Sequence, residues 1–148
     1  MKDDNVSKTV DKCYYQSLVG SLLYIAVGTR PDIQFAVSAV AKYSASPNQS
    51  HLTAVKRFLR YLKQTKNCVL WYRHCDDMLT GYSDADFARD VDDRHSTSGY
   101  VFTLGEGAIS WYSGKQKGVS TSTTEAELHS FELCSQGRNI LAPVAVRI

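Results

Sequence analysis

The sequence has few cysteines and prolines and no paired metal-binding motif. It contains four cysteines, three prolines and two methionines in 148 residues. No C-x-x-C pair or cysteine/histidine ladder is present, which argues against a structural zinc site. We expect reduced thiols. In a secreted chain the four cysteines could pair in three ways, among which the sequence does not choose. They are Cys13, Cys68, Cys75 and Cys134.

A long hydrophobic run is also missing. The longest, from Leu18 to Val27, is interrupted by Gly20 and Ser21 and falls well short of the roughly 20 residues that a membrane-spanning helix needs. We therefore expect no membrane span. With 43% hydrophobic and 22% charged residues, the chain is also unlike disordered or collagen-like proteins. Its length fits one ordinary globular domain or two small ones.

Neither sign of charge is in large excess, with 17 basic and 15 acidic side chains, but the charges are unevenly distributed. Between His51 and Arg73 there are six Lys or Arg residues and no acid, and between His74 and Arg94 there are seven Asp and two Arg. This order fits a polyanion-binding surface beside a cation-binding or catalytic site. Two solvated faces of opposite sign explain it equally well.

The first half of the chain has helical patterning. We predict helices over Gln16–Val27, over Asp32–Tyr43 after Pro31, and from His51 to about Gln64 with Ser50 as N-cap. In the third helix an apolar stripe lies opposite a basic face. The stripe is Val55, Phe58, Leu59 and Leu62, and the basic face includes Lys56, Arg60 and Lys63.

From Cys68 onward the pattern changes to short β-rich runs. Gly105-Glu106-Gly107 is expected to close a hairpin, and Ser122-Thr123-Thr124-Glu125 has the spacing of a capping box that opens a helix through Leu133. The tail from Asn139 to Ile148, which contains Pro143, is predicted to be frayed or weakly extended. The predicted strands are Val69–Tyr72, Leu79–Ser83, Gly99–Leu104 and Ala108–Tyr112.

Three carboxylates follow a pattern that suits metal-dependent phosphodiester chemistry. Asp84 and Asp86 lie two apart in a predicted strand and so share a face, and Glu127 lies on the following helix. Carboxylates from a strand and a helix can hold two Mg²⁺ ions astride a scissile phosphate. Because Asp is common at strand ends, a purely structural role is the alternative.

Two long runs resemble Copia-type retrotransposon Pol polyproteins. GYSDADFARDVDDRHSTSGYVFTLGEGAISWYSGKQKGVSTSTTEAEL resembles their ribonuclease H region. YQSLVGSLLYIAVGTRPDIQFAVSAVAKYSASPNQSHLTAVKRFLRYLKQT resembles the helical segment that joins reverse transcriptase to ribonuclease H. Together they cover nearly everything from Tyr15 to about Ser135.

The resemblance implies an α+β fold: an N-terminal helical segment followed by a truncated ribonuclease H-like mixed sheet, with three antiparallel strands and the first helix. It implies a polar N-terminus over 1–14, a helical tether over 15–67 and a partial ribonuclease H-like domain over 68–148. Losing a later parallel strand would leave the first strand with an unpaired edge, which invites self-association or a partner strand.

The resemblance also suggests roles for individual residues. Asp84 in YSDAD matches the first catalytic Asp of ribonuclease H, and Glu127 in TEAEL matches its helix-borne Glu, with Glu125 as fallback. Trp111 resembles the hairpin aromatic of the family, as part of the core more than a substrate contact. Asp92 and Asp93 are interpreted as solvated turn residues.

The chain departs from the ribonuclease H pattern after the helix. The family has a third carboxylate at the end of a later strand and a fourth further on, whereas the last acidic residue here is Glu132. With two of four metal ligands missing, we expect no functional catalytic residues, no bound metal and no cofactor. Asp84 and Glu127 would be remnants, and Mg²⁺ would matter only if ribonuclease H activity persisted.

Arg57-Phe58-Leu59-Arg60 has the form RxLR, the host-targeting signature of secreted oomycete effectors. Copia polyproteins often have a similar run here, because the helix needs apolar residues inside and bases outside. Leu18–Val27 has the length of a signal-peptide apolar region, although Asp3, Asp4 and Asp11 make its flank acidic. Chains of this kind are found under the name secreted RxLR effector.

Three hypotheses follow. The first, a ribonuclease H, is disfavoured by the missing carboxylates. The second, which we favour, is a secreted effector that enters the host cell and suppresses plant defence or cell death through an unknown host protein. The third is an intracellular retroelement remnant, with residual ribonuclease H activity or weak, salt-dependent binding of RNA/DNA hybrid. That binding would use Lys56, Arg57, Arg60, Lys63 and Lys66.

Overall fold

The computed structural model describes residues 10–73, 79–88, 90 and 94–145, with the backbone alone for 140 and 142–145. Cys75, Asp92 and Asp93, whose roles the sequence analysis considered, lie outside the described residues. The chain divides into two compact units, Met1–Cys68 and Val69–Ile148. Within the described residues the fold consists of four α-helices and a three-stranded antiparallel sheet, which confirms the α+β prediction.

The first unit is helical. Helix α1 spans Lys12–Gly28, and α2 spans Gln34–Ala41 between 3₁₀ turns at Pro31–Ile33 and Lys42–Ala45. Helix α3 spans Gln49–Gln64. Helix α1 therefore begins before the predicted start at Gln16. The Asp11 carboxylate accepts hydrogen bonds from the backbone N–H groups of Cys13 and Tyr14, and this N-cap starts α1 four residues earlier than predicted.

The N-cap of α3 is Asn48, which corrects the prediction of Ser50. The Asn48 side chain accepts from the His51 backbone N–H at 2.9 Å, and His51 Nδ1 accepts from the Asn48 N–H at 3.2 Å. This reciprocal capping box satisfies two backbone donors at once. His51 also stacks on Tyr43 at 3.9 Å between ring centroids.

The core of the first unit forms where the apolar faces of its helices meet. Tyr15 is fully buried, and its hydroxyl donates to the Val40 carbonyl at 2.8 Å. Leu59 was predicted to lie on the apolar stripe of α3, but it is 39% exposed. The buried core consists of Tyr15, Val19, Leu22, Ala26, Ile33, Val37, Val40, Leu52 and Val55.

The second unit is a sheet of order β1-β2-β3 with one helix. Strand β1 spans Thr80–Asp86, β2 spans Thr97–Leu104 and β3 spans Gly107–Lys115, with both pairings antiparallel. Helix α4 spans Thr123–Ala145 and covers the sheet face that carries Phe102, which is 2% exposed. A Cβ at Gly137 would lie 3.1 Å from the rings of Phe102 and Tyr100, so α4 and the sheet are in close contact.

Two predicted elements of the second unit are wrong. Val69–Tyr72 is not a strand. This segment and Arg73, which follows it, contact the β2–β3 hairpin through two separate hydrogen bonds and not through a strand ladder. The Tyr72 hydroxyl donates to the Ala108 carbonyl, and the Arg73 N–H donates to the Gly105 carbonyl. The described part of the tail, residues 139–145, is not extended either, since α4 continues through Ala145. Leu141, Ala142 and Ala145 have high helix propensity, which favours helix on both sides of Pro143.

The β2–β3 hairpin turns on Gly105 and Glu106, with φ of +58° and +65°. Two consecutive residues in the left-handed region are typical of the tight turns that match strand twist. A Cβ at Gly107 would lie 2.5 Å from the Trp71 carbonyl oxygen and would also overlap the Tyr72 ring. Glycine at this position therefore lets the segment before β1 lie against the hairpin.

In the part of the chain that the structure describes, no helix is both long enough and apolar enough to span a membrane.

Candidate functional site

The predicted basic side chains all lie on the exposed face of α3 or just after it. Leu52 and Val55 are buried on the opposite face, and Phe58 and Leu62 pack against the core. Burial of one stripe forces the bases outward, because residues three and four apart share a helix face. We call the exposed residues Lys56, Arg57, Arg60, Lys63 and Lys66 the α3 basic face.

The same helix divides the RxLR motif between surface and core. Arg57 and Arg60 are exposed, and Leu59 is partly so, whereas the Phe58 ring packs against the buried cluster. Three of its four side chains are therefore accessible. The apolar segment Leu18–Val27 lies within α1, and Val19, Leu22 and Ala26 in it belong to the core of the first unit.

An ionic network that the sequence analysis missed holds the end of α3. Arg30 donates to both oxygens of Asp32, and to the carbonyl and hydroxyl oxygens of Thr65 at 3.3 and 2.7 Å. The Tyr61 hydroxyl donates to Asp32 at 2.9 Å, and the Arg30 guanidinium lies 5.5 Å from the Tyr61 ring centroid. The Arg30 hydrogen bonds lower the pKa of Asp32 and outweigh the opposing effect of burial. No local sequence pattern reveals contacts across 29 to 35 residues.

The family-matched carboxylates lie on β1 and α4. Asp84 is exposed and pairs in register with Gly99, so alternation puts it on the face opposite Ser98, Tyr100 and Phe102. Asp86 shares the face of Asp84, as predicted from their spacing.

Ser130 connects the backbone of β1 to α4. Its buried hydroxyl donates to the carbonyls of Asp84, at 2.6 Å, and Gly99, at 3.2 Å. Glu127 is exposed one helical turn before Ser130. Helix α4 thus contacts the main chain of Asp84, whereas the Asp84 side chain lies on the sheet face opposite the one that α4 covers.

Glu125 has a different role from the fallback metal ligand that was considered. Its carboxylate accepts from the Thr121 N–H at 2.6 Å and the Thr121 hydroxyl at 2.7 Å, and these bonds lower its pKa. Its own N–H donates to the Ser122 hydroxyl at 3.2 Å. The half of the predicted capping box in which the Ser122 hydroxyl accepts from the Glu125 N–H therefore forms. The Glu125 carboxylate binds the N–H of Thr121, one residue before the Ser122 N–H that the motif requires.

Side chains that could bind a metal are not clustered in the described part of the chain. Among the described residues, no group of three or more His, Cys, Asp or Glu side chains is arranged to hold an ion. Two carboxylates, from Asp84 and Glu127, give fewer oxygen ligands than a pair of Mg²⁺ ions requires. Trp111 is half-buried and pairs with Val101, on the sheet face opposite the one that carries Phe102.

Comparison with known proteins identifies the family. Over 116 residues, covering 78% of the chain, the sequence is 51% identical to the Retrovirus-related Pol polyprotein from transposon TNT 1-94 of Nicotiana tabacum. It is 47% identical over 125 residues to the Pol polyprotein from transposon RE1 of Arabidopsis thaliana. The chain belongs to the Copia-type retrotransposon Pol family. This Copia-type Pol chain spans only 9% and 8% of the length of those two relatives.

A third relative of this Copia-type Pol chain is close to it in length. "Secreted RxLR effector protein 161" of Plasmopara viticola is 43% identical over 123 residues, which cover 82% of the chain and 87% of that relative. No protein-family model matches the chain. No solved structure matches it either.

Proposed function

We propose that this chain is a nucleic-acid-binding segment of a Copia-type Pol polyprotein, and that it holds RNA/DNA hybrid through the α3 basic face. The observation that carries the proposal is the exposure of five Lys and Arg side chains between residues 56 and 66. No acidic residue lies between His51 and Arg73 to neutralise them. The family relationship supports a nucleic-acid ligand.

The physical basis of this binding is electrostatic. Each basic side chain that neutralises a phosphate releases condensed counterions, and affinity falls with salt with a logarithmic slope of about −0.9 per contact. Three or four simultaneous contacts by one helix face give a slope of about −3. Such binding is weak and largely independent of base sequence.

Fluorescence anisotropy with a labelled RNA/DNA hybrid, over a series of salt concentrations, tests this proposal. The double variant Arg60→Gln/Lys63→Gln should weaken binding and flatten the salt slope by about 2. Lys12→Gln, at an exposed position on α1, is the matched control and should leave both unchanged. A wild-type chain with no salt slope contradicts the proposal.

We propose further that Asp84 and Glu127 are remnants of the ribonuclease H site and that this chain alone does not hydrolyse RNA. The support is the donor set, since two carboxylates do not complete a two-metal site. Incubation of the purified chain with a labelled RNA/DNA hybrid and Mg²⁺ tests this proposal, and cleavage that is lost in Asp84→Asn contradicts it.

A second candidate is the secreted effector, and the relative from Plasmopara viticola favours it by name. Exposed Arg57 and Arg60 would serve delivery, and the action in the host cell would come from contacts with a host protein. Under the Pol proposal, by contrast, the chain is an intracellular retroelement product. Cleavage near Ala26 would remove four of the nine core residues of the first unit, and this argues for the Pol function ahead of the effector function.

Secretion of the full-length chain separates the two candidates. An effector should appear outside the expressing cell and suppress plant cell death, with suppression lost in Arg57→Ala/Arg60→Ala. Lys42→Ala, outside the motif, is the control. Retention of the full-length chain inside the cell contradicts the effector proposal.

We also propose that β1 can pair with a second copy of the chain. Within the described residues β1 pairs with β2 only, and an open strand edge accepts another strand. Sedimentation over a range of protein concentrations should reveal a dimer. Tyr82→Lys should abolish it, and Tyr24→Lys, at an exposed tyrosine on α1, should not. A monomer at every concentration contradicts this proposal.

A further inference from the structure

The second unit contains a partly open cavity of about 300 Å³ between the end of β3 and the middle of α4. Tyr112 and Gly114 line it from the sheet, and His129 and Glu132 line it from the helix. Glu127 is not among its lining residues, so the cavity is separate from the family-matched carboxylates. This volume is at the lower end of the range for small-molecule sites and suits a ligand the size of one nucleotide.

Gln116 makes the inner wall of the cavity rigid. Its amide nitrogen donates to the Ser98 hydroxyl at 2.8 Å and to the Ala126 carbonyl at 2.9 Å. Its amide oxygen accepts from the Ser120 hydroxyl at 2.7 Å. One side chain therefore joins β2, α4 and the connection before α4. A wall held by three hydrogen bonds is organised before a ligand arrives, which lowers the entropic cost of binding.

Tyr112 gives the cavity an aromatic side. Its ring stacks on Tyr100 with 5.9 Å between centroids and 20° between planes. A Cβ at Gly114 would lie 2.6 Å from Tyr112 Cζ, so the ring lies against the strand only because residue 114 has no side chain. A supported aromatic ring of this kind is a surface on which a flat heterocycle can stack.

The charged groups around the cavity favour an anion with additional polar groups. Lys115 is paired with Asp90 at 3.3 Å, whereas Lys117 is exposed beside the cavity. His129 supplies a second nitrogen donor, and Glu132 supplies an acceptor for amino or hydroxyl groups. Lysine and histidine nitrogens are suitable partners for phosphate oxygens.

We propose that this cavity binds a nucleotide, with its base against Tyr112 and its phosphate at Lys117 and His129. The same chemistry is offered by a free mononucleotide and by one nucleotide of a single strand. The site is independent of the α3 basic face, and binding at one does not require the other.

Isothermal titration with AMP, adenosine and inorganic phosphate as separate probes tests the proposal. AMP should bind more tightly than either fragment, because only AMP engages the ring and the cations together. Lys117→Met should weaken AMP binding by about tenfold, the effect of one charge-assisted hydrogen bond. Lys63→Met, on the α3 basic face, is the matched control and should have no effect. No AMP binding, or binding unchanged by Lys117→Met, overturns the proposal.

Two variants at Tyr112 test the stacking. Tyr112→Phe should retain AMP affinity and Tyr112→Leu should reduce it, with thermal unfolding measured for both. If the leucine variant does not fold, the exposed Lys117 still decides the outcome. Displacement of AMP by a short single-stranded DNA assigns the site to strands, and persistence of AMP binding assigns it to free nucleotides. Arg60→Gln/Lys63→Gln should lose hybrid binding and keep AMP binding, so the two proposals can fail separately.

Discussion

Arg30 binds both carboxylate oxygens of Asp32, at 2.9 and 2.7 Å, and the same guanidinium reaches Thr65 at the end of α3. The Arg30 side chain is only 12% exposed. It therefore fixes the chain entering α2 to the C-terminal end of the helix that carries the basic face. The orientation of that face within the first unit depends on this contact.

We expect Arg30→Met to destabilise the first unit by about 1–2 kcal/mol at neutral pH. Most of the loss should come from the hydrogen bonds to Thr65, since solvent reaches Asp32 and limits the worth of the ion pair to less than about 1 kcal/mol. Urea unfolding measures the change. Arg57→Met, at an exposed arginine of α3, is the matched control and should be nearly neutral.

The same pair predicts a pH dependence. The folded-state pKa of Asp32 is lowered, so its contribution to stability is present above the unfolded-state pKa, near 4, and is lost as pH falls through the lower folded value. The stability difference between wild type and Arg30→Met should therefore shrink below about pH 4. A difference that stays constant down to pH 2 contradicts this assignment.

Ser130→Ala should loosen α4 from the sheet. The variant leaves the carbonyls of Asp84 and Gly99 without the buried hydroxyl that now donates to both, at a cost of about 1–2 kcal/mol. Hydrogen exchange of α4 amides and urea unfolding both report the loss. Ser135→Ala is the control, because that hydroxyl donates only to Phe131 within the helix. Equal losses of stability in Ser130→Ala and Ser135→Ala would argue against a role of Ser130 in holding α4 to the sheet.

Gly107→Ala should disturb the contact between the hairpin and the segment before β1. The new methyl would collide with the Trp71 carbonyl and the Tyr72 ring, and we expect a loss of about 1–3 kcal/mol. Exchange of the Arg73 amide, which donates to the Gly105 carbonyl, should accelerate. Gly118→Ala adds a methyl with no atom within 4 Å and should be nearly neutral. A stable variant with a protected Arg73 amide would show that the contact is dispensable.

We expect the purified chain with Mg²⁺ to leave an RNA/DNA hybrid intact. Asp84 and Glu127 supply too few oxygen ligands for two ions. Gel analysis of a labelled RNA strand measures cleavage. The prediction fails if the wild-type chain cuts and both Asp84→Asn and Glu127→Gln abolish cutting. Glu125→Gln is the control, because it changes the carboxylate that caps the start of α4 but neither of the family-matched carboxylates. An effect of this variant would reflect the helix start and not the loss of a metal ligand.

Features that depend on local patterns were predictable from the sequence. The third helix and its basic face follow from alternating apolar and charged residues, and the helix start near Ser122 follows from capping chemistry. The N-cap of α3 was misplaced because Asn48 and His51 form an unusual box, in which an imidazole replaces the expected carboxylate or amide.

Features that depend on distant contacts were not predictable. Val69–Tyr72 has strand-like composition, but its environment is the hairpin tip, which sequence patterning does not reveal. The Arg30 network joins residues 35 apart, and the Gln116 junction joins β2 to the residues that begin α4. Whether Asp84 and Glu127 act as metal ligands stays a prediction.

Ser130 holds the second unit together through main-chain atoms of Asp84, and it makes no demand on the Asp84 side chain. Any residue compatible with a β-strand can therefore replace that aspartate without detaching α4. A substitution that alters only the Asp84 carboxylate therefore carries little structural penalty in this fold. Whatever chemistry the Asp84 carboxylate supplies can thus change without loss of the fold, which leaves a folded protein on which selection for another use can act.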